Sequence, residues 1–139
     1  MAKLEAENNG LIVECVKKDA LEMEFIVKVK SYGIEASFPL VATVENFEEF
    51  LDRIQLINEK QAMILVRAEL LHIFGDKKIT FEGDGWLSYD AVKDAGIGRV
   101  IVSGYNSAFT NEGNDYRFQF IVGHTALVEF LWELSEMRC

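Results

Sequence analysis

Arg99-Val-Ile-Val-Ser-Gly-Tyr105, Tyr116-Arg-Phe-Gln-Phe-Ile-Val122 and the run that begins at about Thr125 decide the reading of the fold. In the first stretch Val100 and Val102 fall on one side, Ile101, Ser103 and Tyr105 on the other. In the second, Tyr116, Phe118, Phe120 and Val122 form an aromatic stripe, with Arg117 and Gln119 opposite. A period of two is that of a strand, whose successive side chains point to opposite faces. Leu127, Phe130, Leu131 and Leu134 then recur at helical spacing, giving one apolar stripe. Two strands and a helix, each apolar on one side, need further elements to pack against.

The chain upstream supplies them. Leu11–Val16 is rich in β-branched residues and reads as a strand; residues 1–9 read as a frayed, polar terminus. Leu21, Met23, Phe25, Val27 and Val29 alternate with Glu22, Glu24, Lys28 and Lys30, the clearest strand pattern in the chain. Tyr32-Gly33 marks a turn. A third strand follows with Ile34, Ala36, Phe38 and Leu40 inward, and Pro39, which has no N–H, suits an edge. The period then changes. Phe47, Phe50, Leu51, Ile54 and Ile57 recur at helical spacing, with Asn46 and Glu49 in the form of a capping box. Residues 61–74 favour helix by composition, although Ile64–Val66 reads equally as strand. Gly75-Asp76 stops that segment. Further strands are expected at Lys78–Glu82 and Trp86–Val92, ahead of the pair quoted above. The expectation is a single α+β domain over residues 1–139. It has a mostly antiparallel sheet (three N-terminal strands, a helical middle, about four further strands) and a C-terminal helix packed on it.

Composition narrows the function. The chain has 139 residues, half of them hydrophobic, with ten Phe, which is ample for a core without metal or disulfide. The net charge of −9 argues against binding nucleic acid directly, since phosphates are met by Lys and Arg. It suits a basic protein partner. The start lacks the basic segment and apolar run of a signal peptide, and the apolar run at Met63–Val66 is far too short to cross a bilayer. The expectation is therefore a cytoplasmic protein that touches no membrane. A disulfide between Cys15 and Cys139 is open to the sequence but not demanded by it. A core thiol and an incidental terminal thiol are the favoured reading.

Chemistry is sparse. His72 lies in an apolar stretch and reads as structural. His124, just before the final helix, has the near-neutral pKa useful to an acid or base, yet a turn or capping role is commoner. No spacing of His and Cys fits zinc, and Gly83-Asp84-Gly85 lacks the oxygen ligands of a calcium loop. Ser103-Gly104 is no nucleophile elbow, and Gly96-Ile-Gly98 precedes a strand, not a helix. No catalytic, metal or cofactor site is expected.

The arrangement of Phe81-Glu-Gly-Asp-Gly-Trp-Leu-Ser-Tyr-Asp90, Gly98-Arg-Val-Ile-Val-Ser-Gly104, Tyr116-Arg-Phe-Gln-Phe120 and Thr125-Ala-Leu-Val-Glu-Phe-Leu131 resembles the WapI-like immunity proteins of bacterial polymorphic-toxin systems. The resemblance covers roughly Leu11 to Leu134; the helical middle from Asn46 to Phe74 is longer than that family leads one to expect. It implies a protein that binds and neutralises a cognate toxin domain without catalysis. A basic nuclease toxin would match the acidic charge. Candidate partner contacts are exposed acids and aromatics of the second sheet region: Glu82, Asp84, Trp86, Asp90, Tyr105 and Asp115. The competing reading is a small enzyme or ligand-binding domain with a pocket near His124, Tyr89 and Asp90. A third is a homo-oligomer paired through Leu11–Val16.

Overall fold

The computed structural model describes residues 1–58, 66–83, 98–106 and 114–139. The fold is α+β. Four strands, β1 (Ala2–Ala6), β2 (Asn9–Lys18), β3 (Glu22–Ser31) and β4 (Ile34–Thr43), form one antiparallel sheet in sequence order. Helix α1 (Val44–Asn58) follows. A second antiparallel sheet is built from β5 (Val66–Leu71), β6 (Lys77–Gly83), β7 (Gly98–Asn106) and β8 (Asn114–Val122), again in sequence order, and α2 (His124–Ser135) comes after it.

The alternation in β3 does what its period requires: Met23, Phe25, Val27 and Val29 are buried. Leu21 leaves the pattern. It sits in the turn before β3 and is exposed, because Asp19 Oδ1 accepts the N–H groups of Leu21 and Glu22, both at 2.8 Å. Those bonds, Leu21's first, hold the Asp19 carboxyl below its ordinary range. Tyr32 and Gly33 close the β3–β4 hairpin with positive φ at both, as a two-residue turn between right-twisted strands needs. Ile34, expected inward, is exposed at the strand end beside that turn, while Phe38 and Leu40 are buried and Pro39 lies on an edge strand.

Residues 2–6 are not frayed. Ala2 and Leu4 alternate with Lys3 and Glu5, pair with β2 from Ala2↔Val13 to Ala6↔Asn9, and are fully buried. Helix α2 packs on this strand, and the Lys3 N–H donates to Glu133 Oε1 at 3.3 Å. Two small apolar residues among polar ones are a weak local signal. The covering helix lies 130 residues away.

The stretch expected to be helical through residue 74 contains β5 instead. Val66, Ala68 and Leu70 are buried while Arg67 and Leu71 are not, which is period two, and the strand pairs with β6 from Val66↔Gly83 to Leu71↔Lys78. Ala, Glu and Leu favour helix in isolation, but sheet pairing outweighs propensity here. Gly75, at φ +75°, turns the chain into β6. His72 therefore lies in a turn, not a helix. The strand expected at Trp86–Val92 lies outside the described residues.

The helix cap is displaced as well. The N–H of Asn46 donates to Thr43 Oγ1 at 3.0 Å, so Thr43 is the cap. Asn46 is thereby free to act on the edge of β5: its Nδ2 donates to Glu69 O at 2.9 Å and its Oδ1 accepts from Leu71 N at 2.8 Å. One side-chain amide thus stands in for a neighbouring strand.

The inner faces of both sheets and both helices share one core. Phe47 of α1 meets Phe25 at 5.4 Å, Phe50 meets Phe81 at 5.7 Å, and Phe81 meets Phe130 of α2 at 5.5 Å. The sheets also touch directly, Phe38 against Tyr116 at 5.5 Å. Gly104 faces Tyr116 across β7 and β8, and a Cβ there would collide with the phenol ring.

Cys15 and Cys139 form a disulfide, against the expectation of two thiols, with Cα atoms 4.9 Å apart at a sequence separation of 124. The geometry has a local cause. β1 pairs with β2 only as far as Val13, so Cys15 lies beyond its cover. The segment after α2 takes that place: the Cys15 N–H donates to Met137 Sδ at 3.2 Å, and Cys139 follows two residues on.

Candidate functional site

Of the six candidate contacts, Glu82 alone has its side chain among the described groups. It is half-buried on the outer face of β6, 3.5 Å from Arg67 Nη2 and directly opposite Arg99 on β7. The register pairs Tyr105 with Asp115, so those two positions share one end of the β7–β8 ladder. Six residues of strand separate Arg99 from Tyr105, about 20 Å. Asp84, Trp86 and Asp90 lie outside the described residues, as does Tyr89.

Among the described residues, the outer face of the second sheet carries more cations than acids around a buried centre at Thr80 and Ile101. Opposed residues of an antiparallel ladder share a face. The rows Arg67–Glu82–Arg99–Ile121, Glu69–Thr80–Ile101–Gln119 and Leu71–Lys78–Ser103–Arg117 therefore lie together. Among these residues Arg67, Lys78, Arg99 and Arg117 outnumber Glu69 and Glu82, and both acids are already paired, Glu69 with Lys78 at 3.5 Å.

The acidic surface is helical. Helix α1 carries Glu45, Glu48, Glu49 and Asp52 against Arg53, while α2 and the residue after it carry Glu129, Glu133 and Glu136 with no Lys or Arg. Glu49 binds Arg53 at 3.2 Å and Glu133 accepts the Lys3 N–H. The other carboxylates on these helices are engaged in no ion pair among the described residues. Helix α1 packs on β5 and β6, and Phe130 of α2, which packs on β1, reaches Phe81 from the inner side of the second sheet.

Trp132 was not among the candidates, and the pattern already contains the signal for it. At about 100° per residue it lies roughly 140° around α2 from Leu127, away from Phe130 and Leu134. It is 66% exposed, with the partly exposed Val128 one turn before it.

His72 is engaged with the backbone of β4, while the side chain of His124 lies outside the described groups. His72 Nδ1 accepts the N–H of Val41 at 2.8 Å, and Ile73 N–H donates to Val41 O at 2.8 Å, so this turn joins β4 to the second sheet. Nε2 then carries the proton of a neutral ring and faces Asp76 Oδ1 at 3.7 Å. Nearby, burial and then the Asp76 charge push the Tyr116 phenol up to about 12. Its hydroxyl is buried and has no hydrogen-bond partner among the described residues. His124 is the first residue of α2. An open depression of about 750 Å3 beside that helix start is lined by Glu5, Glu7, Arg99, Gln119, Gly123 and Ala126, among others. Among the described residues no group of His, Cys, Asp and Glu is arranged to hold a metal ion, and no helix is long and apolar enough to cross a membrane.

Compared with known proteins, the chain matches no family model, no curated protein and no solved structure.

Proposed function

We propose that this is an immunity protein, which binds and neutralises a cognate bacterial toxin domain in the cytoplasm and performs no catalysis itself. The observation that carries the reading is the separation of charge. Seven carboxylates face a single Arg along α1, α2 and the residue that follows. An exposed field of one sign raises the encounter rate with a partner of the other sign and rejects partners of the same sign. A toxin domain that acts on nucleic acid must itself be basic, and so is complementary to this surface. The resemblance noted in the sequence points to the same role.

Co-expression with the product of the adjacent upstream gene, followed by size-exclusion chromatography, tests the reading. A co-eluting complex whose association rate falls as salt rises is expected. Absence of a complex, with no toxin gene next to this one, would sink it.

A further inference from the structure

We propose that the solvent side of α2, centred on Trp132, is the seat for an arginine- or lysine-bearing segment of the protein partner. The inference rests on the binding role proposed above and assigns its surface. A tryptophan left two-thirds exposed is a large apolar area in water. Its neighbours on the helix are fixed by the helical period: Val128 one turn before, Glu129 three residues before and Glu136 four residues after. Glu129 is exposed on the helix and Glu136 at its end, neither in an ion pair among the described residues.

This combination selects a cation in particular. The face of an indole attracts a guanidinium or ammonium group, Arg more often than Lys, and the carboxylates on either side neutralise the same charge. Val128 and the ring edge take the aliphatic stem. An acidic or purely apolar segment would leave Glu129 and Glu136 desolvated without partners. Among the described residues the outer face of β5–β8 carries the unpaired cations Arg99 and Arg117, and so is less suited to a basic segment. Tryptophan and arginine are also the residues most enriched among interface hot spots.

The chain has two tryptophans, so Trp86→Phe leaves Trp132 as the only indole. Titration of that variant with a short oligoarginine peptide should give a saturable change in Trp132 emission that shrinks with added salt. An oligoglutamate peptide of equal length should give none. Should Trp86→Phe not fold, the difference between wild type and Trp132→Phe carries the same signal. In the complex with the upstream gene product, Trp132→Ser should weaken affinity about thirty-fold, and Glu129→Gln with Glu136→Gln should slow association. A complex that forms with unchanged affinity in Trp132→Ser overturns this surface and leaves the immunity role standing. A response to oligoarginine with no complex to any neighbouring product removes the immunity role and keeps the surface. A rise in molecular mass of the protein alone with concentration, lost in Trp132→Ser, would assign the seat to a second copy's arginine face and overturn the foreign partner.

Discussion

The two four-stranded sheets have the same order and sense of pairing but are secured by different means. The first, β1–β4, is held by its own hairpins, by α2 across β1 and by one covalent link. Asp19 and the Tyr32-Gly33 turn fix its connections locally, and Cys15–Cys139 ties its uncovered end to the segment after α2. The second, β5–β8, depends on side chains that reach it from elsewhere. Asn46 of α1 completes the edge of β5, His72 joins its first turn to β4, and Phe50 and Phe130 sandwich Phe81. Hairpins secured locally, such as β2–β3 and β3–β4, keep their pairing when a distant element is disturbed. A sheet secured by imported side chains loses an edge when a single residue outside it changes.

The largest test of that contrast is Cys139→Ser. Opening a loop of 124 residues costs up to about 5 kcal/mol in the chain-entropy view, with about 2–5 typical for a native bridge. Urea unfolding should show the loss, and amide exchange should rise first at Cys15–Lys18 and the segment after α2. Equal loss of protection at β6 and β7 would show that the bridge secures both sheets alike. Next comes Asn46→Ala, which strips partners from Leu71 N–H and Glu69 O together and should cost about 1–3 kcal/mol. Exchange at Leu71 is the specific readout, and an unchanged rate there would mean that β5 needs no help at its edge. The smallest effect belongs to Tyr116→Phe. Loss of a buried hydroxyl that has no partner should shift stability by no more than about 1 kcal/mol at neutral pH. At high pH the two proteins should part. The folded phenol titrates near 12 against 10.0 unfolded, so its contribution is present below pH 10 and is lost as pH rises through the folded value. The midpoint in urea should fall across that window for wild type and not through this group in Tyr116→Phe.

Much of the fold was legible because it follows from local periods. The period-two pattern of Met23–Val29, of the Val100–Val102 stretch and of Tyr116–Val122 gave β3, β7 and β8. The helical stripes Phe47–Ile57 and Leu127–Leu134 gave α1 and α2. The Phe38–Leu40 end of β4 and the edge position of Pro39 followed in the same way. The acidic surface proposed for binding was legible only in total charge. Net charge announces an acidic protein but not which face carries the acids, and the face first favoured, around Glu82, carries more cations than acids among its described side chains.

What the sequence determined by itself, then, is whatever one strand or one helix can express in its own spacing: which segments alternate, which are amphipathic, and that the domain is α+β. Tertiary structure alone decided the rest. Ala2–Ala6 is a strand because α2 covers it, and Val66–Leu71 is a strand because β6 pairs with it against a helical composition. Thr43 caps α1, and the Asn46 side chain goes to the edge of β5, a strand more than twenty residues on. Cys15 meets Cys139 because β1 stops short and the chain after α2 fills the gap. Each of these is settled by a partner distant in the chain, and the free energy of meeting that partner exceeds the few tenths of a kcal/mol per residue by which local propensities differ.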